Sequence, residues 1–269
     1  MRLLVIGASG HLGGEVCRLA QAAGWEVVGT RCEAADARWE RLDIRHGAAV
    51  DRLMRTVRPD VVVGTANRLG DWAAIADGAA HVARAAVAVG ARLVHVSSDA
   101  IHSGRPEPYG DTEPPTPITP YAAAKAAAET AVRAIDPEAV LVRCSLILGD
   151  ETTAQVRLCA DLLTGRIAGA LFTDEIRCPI AGDDLAGAVL ELATSDHRGP
   201  INVAGPEALS RADLGRLIVD RFGLAGRLPV STVAESGLAP RPGEIRLDTS
   251  LARSLLRIRL RPAGEVLGS

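Results

Sequence analysis

The segment Gly7-Ala-Ser-Gly10-His-Leu-Gly13 sets three glycines three residues apart, directly after the apolar run 3–6 and at the opening of a helical pattern. Each glycine answers a separate steric demand. Gly7 permits a tight turn out of a strand, Gly10 lets the backbone approach a bound pyrophosphate, and Gly13 lets the helix pack closely on the strand. The first amides of a helix have no partner within it, and its dipole is positive at that end, so the main chain of Gly7, Ser9, Gly10, His11, Leu12 and Gly13 is suited to hold phosphates. A turn of this kind belongs to a βαβ unit, which restricts the chain to a parallel sheet covered on both faces.

The remaining pattern agrees. Apolar runs at 26–30, 60–63, 92–96 and 140–142 predict further buried strands. Between them, 13–23, 47–57, 73–89 and 121–135 carry apolar residues at helical spacing. The connections are long enough for right-handed parallel crossovers. The expected fold class is therefore α/β, a doubly wound parallel sheet over residues 1–149 with a smaller C-terminal substrate lobe. Past Gly149 the spacing predicts helices at 152–163 and 183–193, a strand at 201–204, and a helix over 211–222 capped by Ser210. Residues 183–204 are expected to return to the first domain, leaving 150–182 and 205–269 for the lobe. Six prolines within residues 104–120 exclude a regular helix there and predict an ordered loop beside the site.

Composition narrows the function classes. Apolar residues make up 48% and charged residues 23%, as in a folded globular protein. A net charge of −3 argues against a nucleic-acid or membrane-surface partner. No apolar run approaches the ~20 residues of a membrane span, and the N-terminus enters a strand without a cleavage pattern. Five cysteines without a Cys-x-x-Cys pair predict a reduced, cytoplasmic protein. The six histidines show no ligand spacing, so no metal is expected.

Of thirty basic residues only one, Lys125, is a lysine. A chain that writes arginine everywhere else keeps lysine where a compact ammonium is required. Tyr121 stands four residues earlier, on the same face of a helix that opens Thr119-Pro120. The ammonium is expected to lower the phenol's pKa and make it a proton donor and acceptor near neutrality. Ser97-Ser98-Asp99 ends the fourth strand, at the edge where an open parallel sheet holds its ligands. The second strand ends Thr30-Arg31 with no acid in place, and Arg31 is expected to clamp a 2′-phosphate, which favours NADP over NAD. Asp43 and Ile44 are expected to cover the adenine.

These motifs, with Val142-Arg143-Cys144-Ser145, resemble the extended short-chain dehydrogenase/reductases, whose fold is of Rossmann type. Within them, Ser97-Ser98-Asp99-Ala-Ile-His-Ser-Gly104 is similar to the Ser-Thr-Asp-x-Val-Phe-x-Gly signature of dTDP-4-dehydrorhamnose reductases. The segments 177–186, 201–205 and 241–250 extend the likeness over nearly the whole chain. The resemblance implies that Ser98 orients a carbonyl, Tyr121 supplies the proton, and Lys125 tunes Tyr121 and binds the nicotinamide ribose. It also implies that Thr65, Ala66, Asn67, Ser97, Cys144 and Ser145 line the cofactor, and that Asp99, Ala100, Arg177 and Arg241 meet the substrate. Departures fall in the sugar pocket. Ala100 and His102 replace aromatic residues, Ile75 replaces an Asn, and an Asn-Phe pair is missing around 152–156.

The activity so implied is NADP(H)-dependent reduction of a keto group on a nucleotide-linked deoxysugar, with NAD as the other candidate coenzyme. Two alternatives stay open. One is a non-catalytic NADP-binding regulatory subunit, such as the beta subunit of methionine adenosyltransferase, and the other a sugar-nucleotide epimerase or dehydratase. A homodimer through 73–89 and 121–135 is a further expectation of the resemblance.

Overall fold

A computed structural model describes residues 1–33, 37–237 and 241–268. Its first half alternates β1 (Arg2–Ile6), α1 (His11–Ala22), β2 (Glu26–Arg31), β3 (Glu40–Arg41), α2 (Gly47–Val57) and β4 (Val61–Gly64). There follow α3 (Gly78–Val89), β5 (Arg92–Ser98), α4 (Pro120–Ile135) and β6 (Val140–Cys144). After α5 (Ala154–Leu163) and α6 (Gly182–Ala193), β7 (Gly199–Val203) closes the sheet, and α7 (Arg211–Phe222) lies beyond it. Seven strands pair in the order β7-β6-β5-β4-β1-β2-β3, all parallel. This is a Rossmann-type α/β fold with a smaller C-terminal lobe.

The sheet is buried on both sides, and strand alternation sorts its residues cleanly. Leu3, Val5, Val61, Val63, Val94 and Val142 face the helices α1 and α6, meeting Val16, Leu185 and Val189. Leu4, Ile6, Val62, Leu93 and Leu141 face the opposite layer, meeting Met54 of α2, Val82 of α3 and Val132 of α4. A separate core of Leu148, Val156, Leu162, Leu171, Leu214 and Ile218 holds α5 and α7 together in the C-terminal lobe.

Two helix starts carry the predicted caps. Thr119 Oγ1 accepts from Ala122 N with Pro120 at the first turn, and Ser210 Oγ accepts from Asp213 N. The proline-rich segment is an ordered loop anchored by Arg143, which is 1% exposed. Arg143 pairs with buried Glu129 at 2.8 Å and donates through Nη1 to the carbonyls of Asp111 and Glu113, each at 2.9 Å.

Three details differ from the sequence expectation. The helix expected over 73–89 begins with a π-turn, Ala73–Asp77, before α3, and Ile44 packs where a Cβ on Gly78 would lie. The helix expected from residue 152 begins at Ala154, because Asp150 Oδ1 takes the amide and hydroxyl of Thr152 into a preceding turn. The short edge strand β3 has too few residues for a periodic signal. Among the described residues, no helix is long and apolar enough to cross a membrane.

Candidate active site

The glycine turn performs the steric roles its spacing implies. Gly7 has φ +98°, its N–H donates to Thr30 Oγ1 at 3.1 Å, and Gly10 N donates back to Gly7 O at 3.0 Å. A Cβ on Gly13 would lie 2.2 Å from Gly7 O, so any side chain there would force α1 off β1. Beside this turn is a cleft of about 480 Å³ lined by Gly7, Ser9, Gly10, His11, Leu12 and Gly13, by Asp43 and Ile44, and by Thr65, Ala66 and Asn67. The cleft thus unites segments from the ends of four strands, β1, β2, β3 and β4.

Arg31 is the exception. It does not line the cleft, and its Nε donates to the carbonyl of Trp39 at 3.2 Å. Its neighbour Thr30 takes the inward-facing position and supports Gly7, so strand alternation turns Arg31 away. The cleft's cations are instead Arg45 and Arg68, neither of which stood out in the sequence, because their arrival depends on loops that follow β3 and β4. Cys32 and Glu33, at the end of β2, line it as well.

A second cavity of about 720 Å³ meets the first along His11, Leu12, Thr65 and Asn67. Ser97, Ser98, Tyr121, Lys125, Cys144 and Ser145 line it, and so do Asp99, Ala100, Arg177 and Arg241. The Tyr121 hydroxyl interacts with Ser98 and stands 3.5 Å from Asn67 Nδ2. Lys125 is 4% exposed, and its ammonium donates to the carbonyl of Val96 at 2.9 Å. Burial lowers the lysine's pKa. The expected lowering of the phenol is not what the protein alone shows. Desolvation pushes Tyr121 up to about 12, because its surroundings disfavour the phenolate more than Ser98 and Asn67 stabilise it. Cys144 is likewise pushed up to about 12 by burial and is an inert thiol.

Asp99 is buried and accepts from Ser145 Oγ at 2.6 Å and from Ser98 Oγ at 3.3 Å. Burial raises its pKa, against the charge of Arg177 and these bonds. Arg177 is also buried, and its guanidinium is committed to the carbonyls of Ile176, Pro242 and Gly243 and to Glu175. It braces the wall. Arg241 is the more accessible of the two, 43% exposed at the side chain and paired with Glu175 at 3.0 Å.

His102, one of the aromatic replacements, turns out of the cavity and stacks on Tyr109 with ring centroids 4.0 Å apart. Tyr121 is left as the one Phe, Tyr or Trp side chain among the described residues lining the cavity. Thr152, Thr153 and Gln155 line the cavity as well, in the segment where the sequence departs from the family pattern, whereas Glu175, which pairs with Arg177 and Arg241, is a lining residue that sequence reasoning missed.

A family model described as the RmlD substrate binding domain matches residues 1–268. A dTDP-4-dehydrorhamnose reductase of Mycobacterium tuberculosis is 32% identical, over 89% of this chain and 82% of its own length. The beta subunit of methionine adenosyltransferase 2 from Xenopus tropicalis is 27% identical, over 93% of this chain and 80% of its own. Among solved structures, a dTDP-4-dehydrorhamnose reductase from Bacillus anthracis in complex with NADP superposes with a TM-score of 0.84 at 23% identity, covering 99% of this chain and 95% of that one. The end-to-end family match and the mycobacterial relative agree, and the chain belongs to the RmlD substrate-binding-domain family, that of the dTDP-4-dehydrorhamnose reductases.

Proposed function

We propose that this protein is an NADP(H)-dependent reductase of a keto group on a nucleotide-linked deoxysugar. The observation that carries the reading is the seam between the two cavities. There the Tyr121 hydroxyl meets Ser98, and the chain's one lysine is buried a helical turn away.

The first cavity fits a dinucleotide: the turn leaves no Cβ at Gly13, and Gly10, His11 and Leu12 at the start of α1, where a helix has unpartnered amides, line the cleft. Lys125 would hold the nicotinamide ribose, and when bound the nicotinamide supplies the hydride. Ser98 holds the substrate's carbonyl oxygen, and Tyr121 donates its proton to that oxygen as the carbonyl carbon is reduced. A phenol held near 12 is fully protonated at neutral pH, as a proton donor must be, and the Lys125 ammonium stabilises the phenolate left behind.

The substrate end supports a nucleotide sugar. A further cavity of about 470 Å³ shares Glu175 and Arg241 with the catalytic one and is walled by Leu158, Leu162, Leu171 and Phe172. It suits a nucleobase, with Arg241 free to swing from Glu175 toward a diphosphate. We assign residues 1–149 and 183–204 to the cofactor domain and 150–182 and 205–269 to the substrate lobe. We place the protein in the cytoplasm, and we assign it a homodimer interface on the outer faces of α3 and α4, which light scattering would read.

The test is NADPH consumption against dTDP-4-dehydrorhamnose and a panel of nucleotide-linked 4-keto sugars. Turnover is expected. NADPH binding without turnover of any of them would hand the protein to the regulatory-subunit reading, and product formation without net NADPH consumption to an epimerase or dehydratase.

A further inference from the structure

The adenosine end of the dinucleotide cleft is spanned by an ion pair. Arg68, on the loop after β4, donates through Nη1 to the carboxylate of Glu33, on the loop after β2, at 2.6 Å. Both residues line the cleft. The pair is solvated, with side chains 48% and 70% exposed, so each partner is easily exchanged for another.

The other cation at this end is held differently. Arg45 lies between Asp43 at 2.6 Å and Asp71 at 3.1 Å, and its bonds hold the Asp43 carboxyl down at about 2. Two carboxylates keep it in place. Asp71 comes no closer than 3.9 Å to Arg68, which leaves Glu33 as the nearer of its two carboxylate partners. Arg31, which the sequence singles out, is directed at Trp39 and does not line the cleft.

We propose that Arg68 is the residue that distinguishes NADP(H) from NAD(H), by exchanging the carboxylate of Glu33 for the 2′-phosphate on the adenosine ribose. The inference rests on the dinucleotide reading of the cleft. A 2′-phosphate carries up to two negative charges and three acceptor oxygens, and it engages a guanidinium bidentately, so it displaces a single solvated carboxylate. The unphosphorylated ribose of NAD(H) offers a hydroxyl instead. That group donates to a carboxylate, and Glu33 accepts it while keeping Arg68. One pair therefore reads both coenzymes, the cation for the phosphate and the anion for the hydroxyl.

Equilibrium titration with NADPH and NADH, followed by coenzyme fluorescence, tests this without any substrate. Arg68→Met is expected to weaken NADPH about tenfold to a hundredfold and to leave NADH within about twofold, the loss of a charge-assisted contact made by one coenzyme only. Glu33→Gln is expected to tighten NADPH and weaken NADH, because it removes a like charge from the phosphate and an acceptor from the hydroxyl. Arg31→Ala is expected to change neither. An Arg68→Met protein that binds NADPH as the wild type does overturns the proposal, as does one that loses both coenzymes equally. So does a selective loss of NADPH in Arg31→Ala. A wild-type protein that binds neither coenzyme fails the dinucleotide reading itself, and the proposal falls with it.

Discussion

Tyr121 and Lys125 are four residues apart on one helix, yet in the protein alone the ammonium is bonded to the strand carbonyl of Val96, and the phenol accepts from Asn67 Nδ2 and lies beside Ser98. Each is desolvated, and each has its charged form disfavoured, the phenol upward and the ammonium downward. The pair therefore depends on its ligands to complete it. Replacing Tyr121 by Phe removes one hydroxyl and should leave NADPH affinity within about twofold while cutting turnover by about 10²–10⁴-fold, the usual worth of a general acid. Lys125→Arg keeps the charge but puts a planar fork into a site that is 4% exposed and fitted to one ammonium. Its expected outcome is loss of turnover together with weaker coenzyme binding, measured by steady-state kinetics and fluorescence titration. An active Lys125→Arg protein with unaltered NADPH affinity would remove the lysine from the mechanism.

Among the elements, the loop from residue 104 to residue 120 best shows what sequence can and cannot convey. Its prolines announce an ordered, non-helical segment, but not what orders it. That anchor is Arg143, a strand residue reaching across to α4 and the loop at once, and its partners Glu129, Asp111 and Glu113 lie 14, 32 and 30 positions before it. The central strands and helices were legible because burial on one or both faces writes a period into the chain. The glycine turn and the Tyr121–Lys125 spacing were legible because local geometry alone requires those residues. Arg45, Arg68 and Glu175 were not, since a cation or carboxylate on a loop looks the same whether it faces solvent or a cleft. Arg31 shows the same limit: its place at the end of β2 was legible, but not that its Nε donates to the Trp39 carbonyl while Thr30 supports the glycine turn. Arg143→Met should strand the buried Glu129 carboxylate and cost about 3–5 kcal/mol of stability by chemical denaturation. Because α4 carries Tyr121, activity should fall further than stability does. A variant with unchanged midpoint would show that the loop is held by other contacts.

At the scale of the whole molecule, two imidazoles tie stability to pH. His95 is 6% exposed on β5, with an Nε2 that has no hydrogen-bond partner among the described residues, and burial together with the nearby Lys125 charge lowers its pKa to about 3. His102 is fully buried against Tyr109, and burial with the charge of Arg143 lowers it to about 4. In the unfolded chain both titrate at about 6.5. Below that pH the unfolded state binds protons that the folded state refuses, so stability is complete above 6.5 and is lost as pH falls toward 4. At pH 4.5 each imidazole has cost roughly 2–3 kcal/mol, a large share of the 5–15 kcal/mol typical of a folded protein. Asp99 and Asp111, whose burial raises their pKa values, act in the opposite direction and blunt the effect at its acidic end. The melting temperature should therefore fall steeply between pH 6.5 and 4.5. Replacing His95 and His102 together by Gln should flatten that slope, whatever it does to the melting temperature at pH 7.5, because glutamine takes up no proton in this range. The slope is the quantity to compare, since either substitution can alter packing on its own. An equally steep loss in the double variant would assign the acid sensitivity to the carboxylates instead.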